Sequence, residues 1–117
     1  MVGGIVQFNT FIENHFQLKK IKKSSIREVI LEHKLLCRVG KNETKSLVSL
    51  AEKALSLKIS PILQWDILST EIKFQQSLKI LNRLPLNIFK AIRVQDLGAA
   101  EWIKQEHPEI PIHLIVE

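Results

Sequence analysis

A single cysteine, Cys37, in a chain of 117 residues excludes an internal disulfide, a CxxC redox pair and a self-sufficient iron–sulfur site, which takes about four thiolates. A reduced, cytoplasmic setting is therefore expected, with no cofactor held by this chain alone. The opening MVGGIVQFNTFIENHF has no basic segment ahead of its apolar residues. No apolar run reaches the ~18 residues of a membrane span, so neither export nor membrane insertion is expected. His15, His33, His107 and His113 show no HExxH spacing and no cysteine partner at zinc-finger distance, so no metal site is expected. A GxSxG elbow is missing. Gly40-Lys41 is followed by Asn42 where a phosphate loop needs Ser or Thr, and Asn42-Glu43-Thr44 is a glycosylation acceptor without a secretion signal to use it. Motifs therefore assign no catalytic residue, and they leave open whether the chain is an enzyme at all.

What the chain has in excess is positive charge, +5 in all, and it is concentrated in the first half. Residues 1–58 hold 11 Lys or Arg against 5 acids, whereas residues 59–117 hold 6 against 7. Lys19, Lys20, Lys22 and Lys23 are the densest part. Such a cluster suits a phosphate backbone through counterion release, and it equally suits the negative end of a helix dipole.

The length is that of one domain, and its pattern is an alternation of short apolar runs with helix-period segments, the signature of βαβ units and a parallel sheet. Five strands are predicted: Gly4 to Phe8, Arg27 to Leu31, Ser60 to Trp65, Phe89 to Val94 and Ile110 to Val116. Between them fall helices over Thr10 to Lys22 (apolar through Phe11, Phe16 and Leu18) and over Thr44 to Lys58, where Leu47, Leu50, Ala51, Ala54 and Leu55 form one face. A third helix, capped by Ser69 or Thr70, carries Ile72, Phe74, Leu78, Leu81 and Leu84. A short fourth follows QDLG through Ala99, Ala100, Trp102 and Ile103. The pattern is weakest over residues 1–25. About four βα units with a terminal strand, in sequential order, predict an α/β chain forming the leading half of a TIM-type barrel, whose full ring takes about 250 residues. A flavodoxin-like open parallel sheet is the alternative for this length. In the barrel reading the last strand is unfinished, so a second barrel half or self-association is the expected partner.

In parallel α/β folds, sites gather at the C-terminal ends of strands. Glu32, Gln64, Asp66, Gln95, Asp96 and Glu117 fall there, and Arg38 follows an apolar run that would bring it to the same mouth. Asp66 and Asp96 are equally suited to capping or turn formation, so both roles stand open.

The stretch Arg93-Val94-Gln95-Asp96-Leu97-Gly98, followed by Glu106-His107-Pro108-Glu109-Ile110-Pro111-Ile112-His113, resembles the collagenase-like (U32-type) peptidase family, in which VQDLG ends a strand and a segment like FPxxPIH opens the next. The likeness extends back to about Arg27, with Arg38 matching a loop arginine and Asp66 standing where Asn is usual. Leu114-Ile115-Val116-Glu117 departs from the small-residue, Ser-Thr-Gln ending of that family. The resemblance implies an N-terminal barrel region, in a family that includes RNA-base and quinone hydroxylation proteins; taken with the strand-end positions, it leaves Arg38, Asp66, Gln95, Asp96, His113 and Glu117 as the candidate substrate-binding residues. It also implies that the family's clustered cysteines lie beyond this segment. The expectation is an N-terminal barrel region, inactive alone. Its competitor is a non-catalytic module that contacts RNA or another polyanion through Lys19, Lys20, Lys22 and Lys23.

Overall fold

A computed structural model describes residues 9–67 and 71–115. Five parallel strands, β1 (Asn9–Phe11), β2 (Glu28–Glu32), β3 (Ser60–Trp65), β4 (Ala91–Val94) and β5 (Ile112–Leu114), pair in sequential order in one sheet. The connections carry α1 (His15–Lys22), α2 (Thr44–Ser56), α3 (Glu71–Leu81) and α4 (Leu97–Glu106), with a short 3-10 turn at Leu86–Ile88 leading into β4. Sequential order is that of a (β/α) barrel. The flavodoxin order would instead place β1 between β2 and β3. The sheet is nevertheless open among the described residues, with β1 and β5 at its edges.

Alternation along each strand divides the sheet into two faces. Val29, Leu31, Leu63, Trp65, Ile92 and Val94 turn toward the helices and join one continuous core with Leu47, Leu50, Ala51 and Ala54 of α2 and Ile103 of α4. Trp65 ties three elements together: its ring stacks on Phe74 of α3 at 5.9 Å and meets Trp102 of α4 edge-on at 6.1 Å. Ile30, Ile62 and Ala91 form a separate apolar cluster on the other face. Two contacts cross that second face over intervening strands. Lys90, just before β4, is ion-paired with Glu28 of β2, and the Arg93 guanidinium of β4 lies 5.6 Å from the Phe11 ring of β1. In a flat sheet β1 and β4 would stand about 14 Å apart, three spacings of about 4.8 Å. Curl of the sheet toward this face, together with two long side chains, closes that gap.

Several sequence expectations shift. The predicted first strand, Gly4 to Phe8, lies outside the described residues, as do Ser69, Thr70, Val116 and Glu117. The first helix does not begin at Thr10: the chain stays extended through Phe11, and Asn14 caps α1 by accepting from the Gln17 N–H at 2.9 Å. Phe11 is therefore a strand residue, and in the short α1 only Leu18 is buried, while Phe16 is 66% exposed. Leu55 sits at the rim of the α2 stripe and is exposed. In α3, Ile72 is exposed, whereas Phe74, Leu78 and Leu81, with Leu84 just beyond the helix, pack on the core as expected, joined by buried Ser77 and Ile80. The second helix ends at Ser56 because Lys58 takes a left-handed conformation (φ 62°). The Ile59 N–H then reaches Ala54 O and the Lys58 N–H reaches Leu55 O, a Schellman closure. Strand β4 starts two residues later than predicted, since the 3-10 turn takes the approach to Phe89.

Candidate functional site

Strand register places Glu32 opposite Gln64, Gln64 opposite Arg93, and Arg93 opposite His113. These four occupy one row on the concave face, one step beyond Ile30, Ile62 and Ala91 and at the C-terminal ends of the strands.

The loop after β2 is sewn to the end of β3. The Asp66 and Ile67 N–H groups both donate to Leu36 O at 3.1 Å, the Arg38 N–H donates to Asp66 Oδ1 at 3.1 Å, and Gln64 Nε2 donates to Asp66 Oδ2 at 3.2 Å. Asp66 is thus buried and fully engaged as an acceptor, a role that joins the turn-forming reading to a place in the polar row. Gly40 closes the loop at a point where a Cβ would lie 2.5 Å from His33 O. Glycine here serves close backbone approach rather than phosphate binding. Buried His33 accepts the Leu35 N–H at Nδ1 (3.0 Å), which leaves Nε2 to donate to Thr44 Oγ1 at 3.0 Å. Burial, then Lys34, lowers its pKa, consistent with this neutral tautomer.

The carboxyl of Glu32 is raised above its usual pKa by burial first, then by Asp66 and Glu13, with Arg93 opposing. Cys37 is buried, its Sγ–H donates to Gln64 O at 3.1 Å, and burial pushes its thiol strongly up, so it is no nucleophile.

The other predicted residues scatter. Arg38 is exposed, and its backbone N–H is what meets Asp66. Asp96 caps α4, its Oδ1 accepting the Gly98 N–H at 2.8 Å, and Gln95 beside it is half-buried with Oε1 unbonded. His113 is exposed at the end of the row, and Glu117 is outside the described residues. Lys19, Lys20, Lys22 and Lys23 line a cavity of about 390 Å³ with Phe16, and Lys20 Nζ stands 4.7 Å over the Phe16 ring. Arg93 was not among the predicted site residues. The signal for it was a charge inside AIRV, a run that a parallel strand buried on both faces would keep apolar.

Neither a family model nor a curated protein matches the sequence. Among solved structures the chain is similar to that of the U32 peptidase Mk0906, with a TM-score of 0.71 over 100% of this chain at 11% sequence identity. The chain spans 50% of that protein's length. No helix among the described residues is long and apolar enough to cross a membrane. At such low identity the likeness is one of architecture, and what it establishes is that this chain has the fold of half of a U32 peptidase.

Proposed function

We propose that this chain is the leading half of a barrel of the U32-peptidase kind. In this reading it supplies one arc of the barrel mouth, catalyses nothing alone, and needs a second half or another copy to complete the ring. The observation that carries the reading is the match of the whole chain to half of a U32 peptidase, with the polar row at the strand ends where barrel sites form. Substrate contact falls in this reading to Asp66, Arg38, Gln95, Asp96, His113 and Glu117, joined by Glu32, Gln64 and Arg93. The free edge of β5 is the place where another chain would add. Inward ladder bonds there involve residues 111, 113 and 115, since Ile92 N–H donates to Pro111 O and Ile115 N–H to Val94 O. The N–H of Leu114 therefore points outward. Size-exclusion chromatography with light scattering on the chain, beside Leu114→Pro, tests the idea. Concentration-dependent association that Leu114→Pro abolishes is expected; a monomer at every concentration would overturn it.

A second reading, contact of α1 with RNA or another polyanion, is favoured by the exposed Phe16 ring set among Lys19, Lys20, Lys22 and Lys23. Bases stack on such a ring while lysines follow the phosphates. Fluorescence anisotropy with a single-stranded RNA across a salt series tests it. Binding that weakens steeply with salt and is lost in Phe16→Ala supports this reading, and salt-insensitive or absent binding removes it.

A further inference from the structure

One group in the polar row has an unmet need. Gln64 is only 5% exposed. Its Nε2 is satisfied by Asp66, but its Oε1 is buried without any hydrogen-bond partner. Turning the amide over would set its carbonyl oxygen against the Asp66 carboxylate, so the network fixes the orientation and leaves the acceptor unfilled. A buried acceptor without a donor is destabilising, and native proteins fill such positions with water, an ion or a ligand.

The surroundings narrow the choice. Glu32 stands opposite Gln64 on the neighbouring strand, and no hydrogen bond reaches its carboxylate among the described residues. Asp66, whose Oδ2 already accepts from Gln64 Nε2, adds a second carboxylate beside the amide, while Glu13 is offset by its ion pair with Lys41. An anion would find an acceptor and carboxylates there, an arrangement that repels it. A metal ion fits no better, since among the described residues no three His, Cys, Asp or Glu side chains are placed to hold one. What remains is a positively charged group that brings its own N–H donors.

We propose that this end of the concave face binds an organic ammonium group, which donates one hydrogen bond to Gln64 Oε1 and one to the Glu32 carboxylate. Arg93 is the movable cover. Its guanidinium is held over the Phe11 ring by a cation–π contact, the weakest link in the row, and its displacement opens the way to the buried oxygen. The floor is the apolar cluster Ile30, Ile62 and Ala91, which suits the carbon attached to the ammonium. This deepens the barrel-mouth reading and rests on it.

The test uses the chain labelled with ¹⁵N and two probes, methylammonium chloride and tetramethylammonium chloride. They carry the same charge, but only the first has N–H donors. The side-chain amide signal of Gln64 is expected to shift and saturate with methylammonium and to stay still with tetramethylammonium. Glu32→Gln should weaken the response roughly tenfold, the worth of one charge-assisted hydrogen bond. Equal responses to both probes, or none to either, overturn the proposal, the latter leaving a bound water as the occupant. Arg93 Nε–H is read in the same spectra. A ring-current shift from Phe11 with a silent Gln64 amide removes the ligand alone, whereas loss of that shift removes the curled face and with it the mouth reading.

Discussion

Toward its helices the sheet presents Val29, Leu31, Leu63, Trp65, Ile92 and Val94, all within one continuous core closed by aromatic contacts from α3 and α4. Its concave face offers Ile30, Ile62 and Ala91 as a small separate cluster, and above it come Glu32, Gln64, Arg93 and His113. The same strands, alternating residue by residue, thus carry stability on one side and polar, partly unsatisfied groups on the other. The difference teaches that an apolar run in a parallel strand is not evenly apolar: its outward set is fixed by packing against helices, and its inward set is free to vary wherever the barrel mouth begins.

The comparison can be broken first by truncation. Leu50→Ala and Ile92→Ala remove buried side chains from the helix-facing core and are expected to cost about 2–4 kcal/mol each. Ile62→Ala, on the concave side, should cost less, about 1–2 kcal/mol, because it belongs to a cluster of only three buried residues rather than to the continuous core. Urea denaturation with a shared m-value measures all three; equal losses for Ile62 and Ile92 would mean that both faces are equally packed. The loop that joins the two regions comes next. Gly40→Ala forces a Cβ onto the His33 carbonyl and should destabilise by about 1–3 kcal/mol, with the Arg38 amide losing its hydrogen-exchange protection as its bond to Asp66 loosens. A stable variant with intact protection would show that this loop adapts freely.

The smallest effect is a gain. Because the fold raises the Glu32 carboxyl pKa above the usual 4.5, its contribution to stability is present below that value and is lost as pH rises through the folded one. At pH 7 the ionised group is a net burden, so Glu32→Gln should stabilise the chain by about 0.5 kcal/mol, a modest figure because the group is half-exposed and solvent screens it. The gain should vanish by about pH 4, where both side chains are neutral. Thermal unfolding at the two pH values checks it, and a loss at pH 7 would place Glu32 in a stabilising ion pair instead.

Much of the helix-facing side could be read in advance. The period of Leu47, Leu50, Ala51 and Ala54, the Pro61-opened run to Trp65, and Asp96 ahead of a short helix each follow from local rules that the folded chain obeys. Phe11 and Phe16 were misplaced because two aromatics near Leu18 imitate a helical stripe, while the Asn14 cap that moves the helix start is a weaker signal. The concave row was only partly legible. Glu32, Gln64 and Asp66 were named by position and His113 through the resemblance, but Arg93 was hidden inside a strand, and the pairing of Glu32, Gln64 and Arg93 depends on register, which no single strand encodes. Nor can a sequence show that the Gln64 oxygen lacks a donor, since that depends on everything around it.

The central claim is that the sheet curls so that its first and fourth strands meet over the concave face. A nuclear Overhauser measurement between the Phe11 ring protons and the Arg93 side-chain methylenes tests it directly. The account predicts clear cross-peaks, in keeping with the 5.6 Å contact between guanidinium and ring. Their absence, with the β1–β2 and β3–β4 interstrand contacts intact, would show a flat sheet whose strands β1 and β4 stand about 14 Å apart, and would contradict the barrel arc.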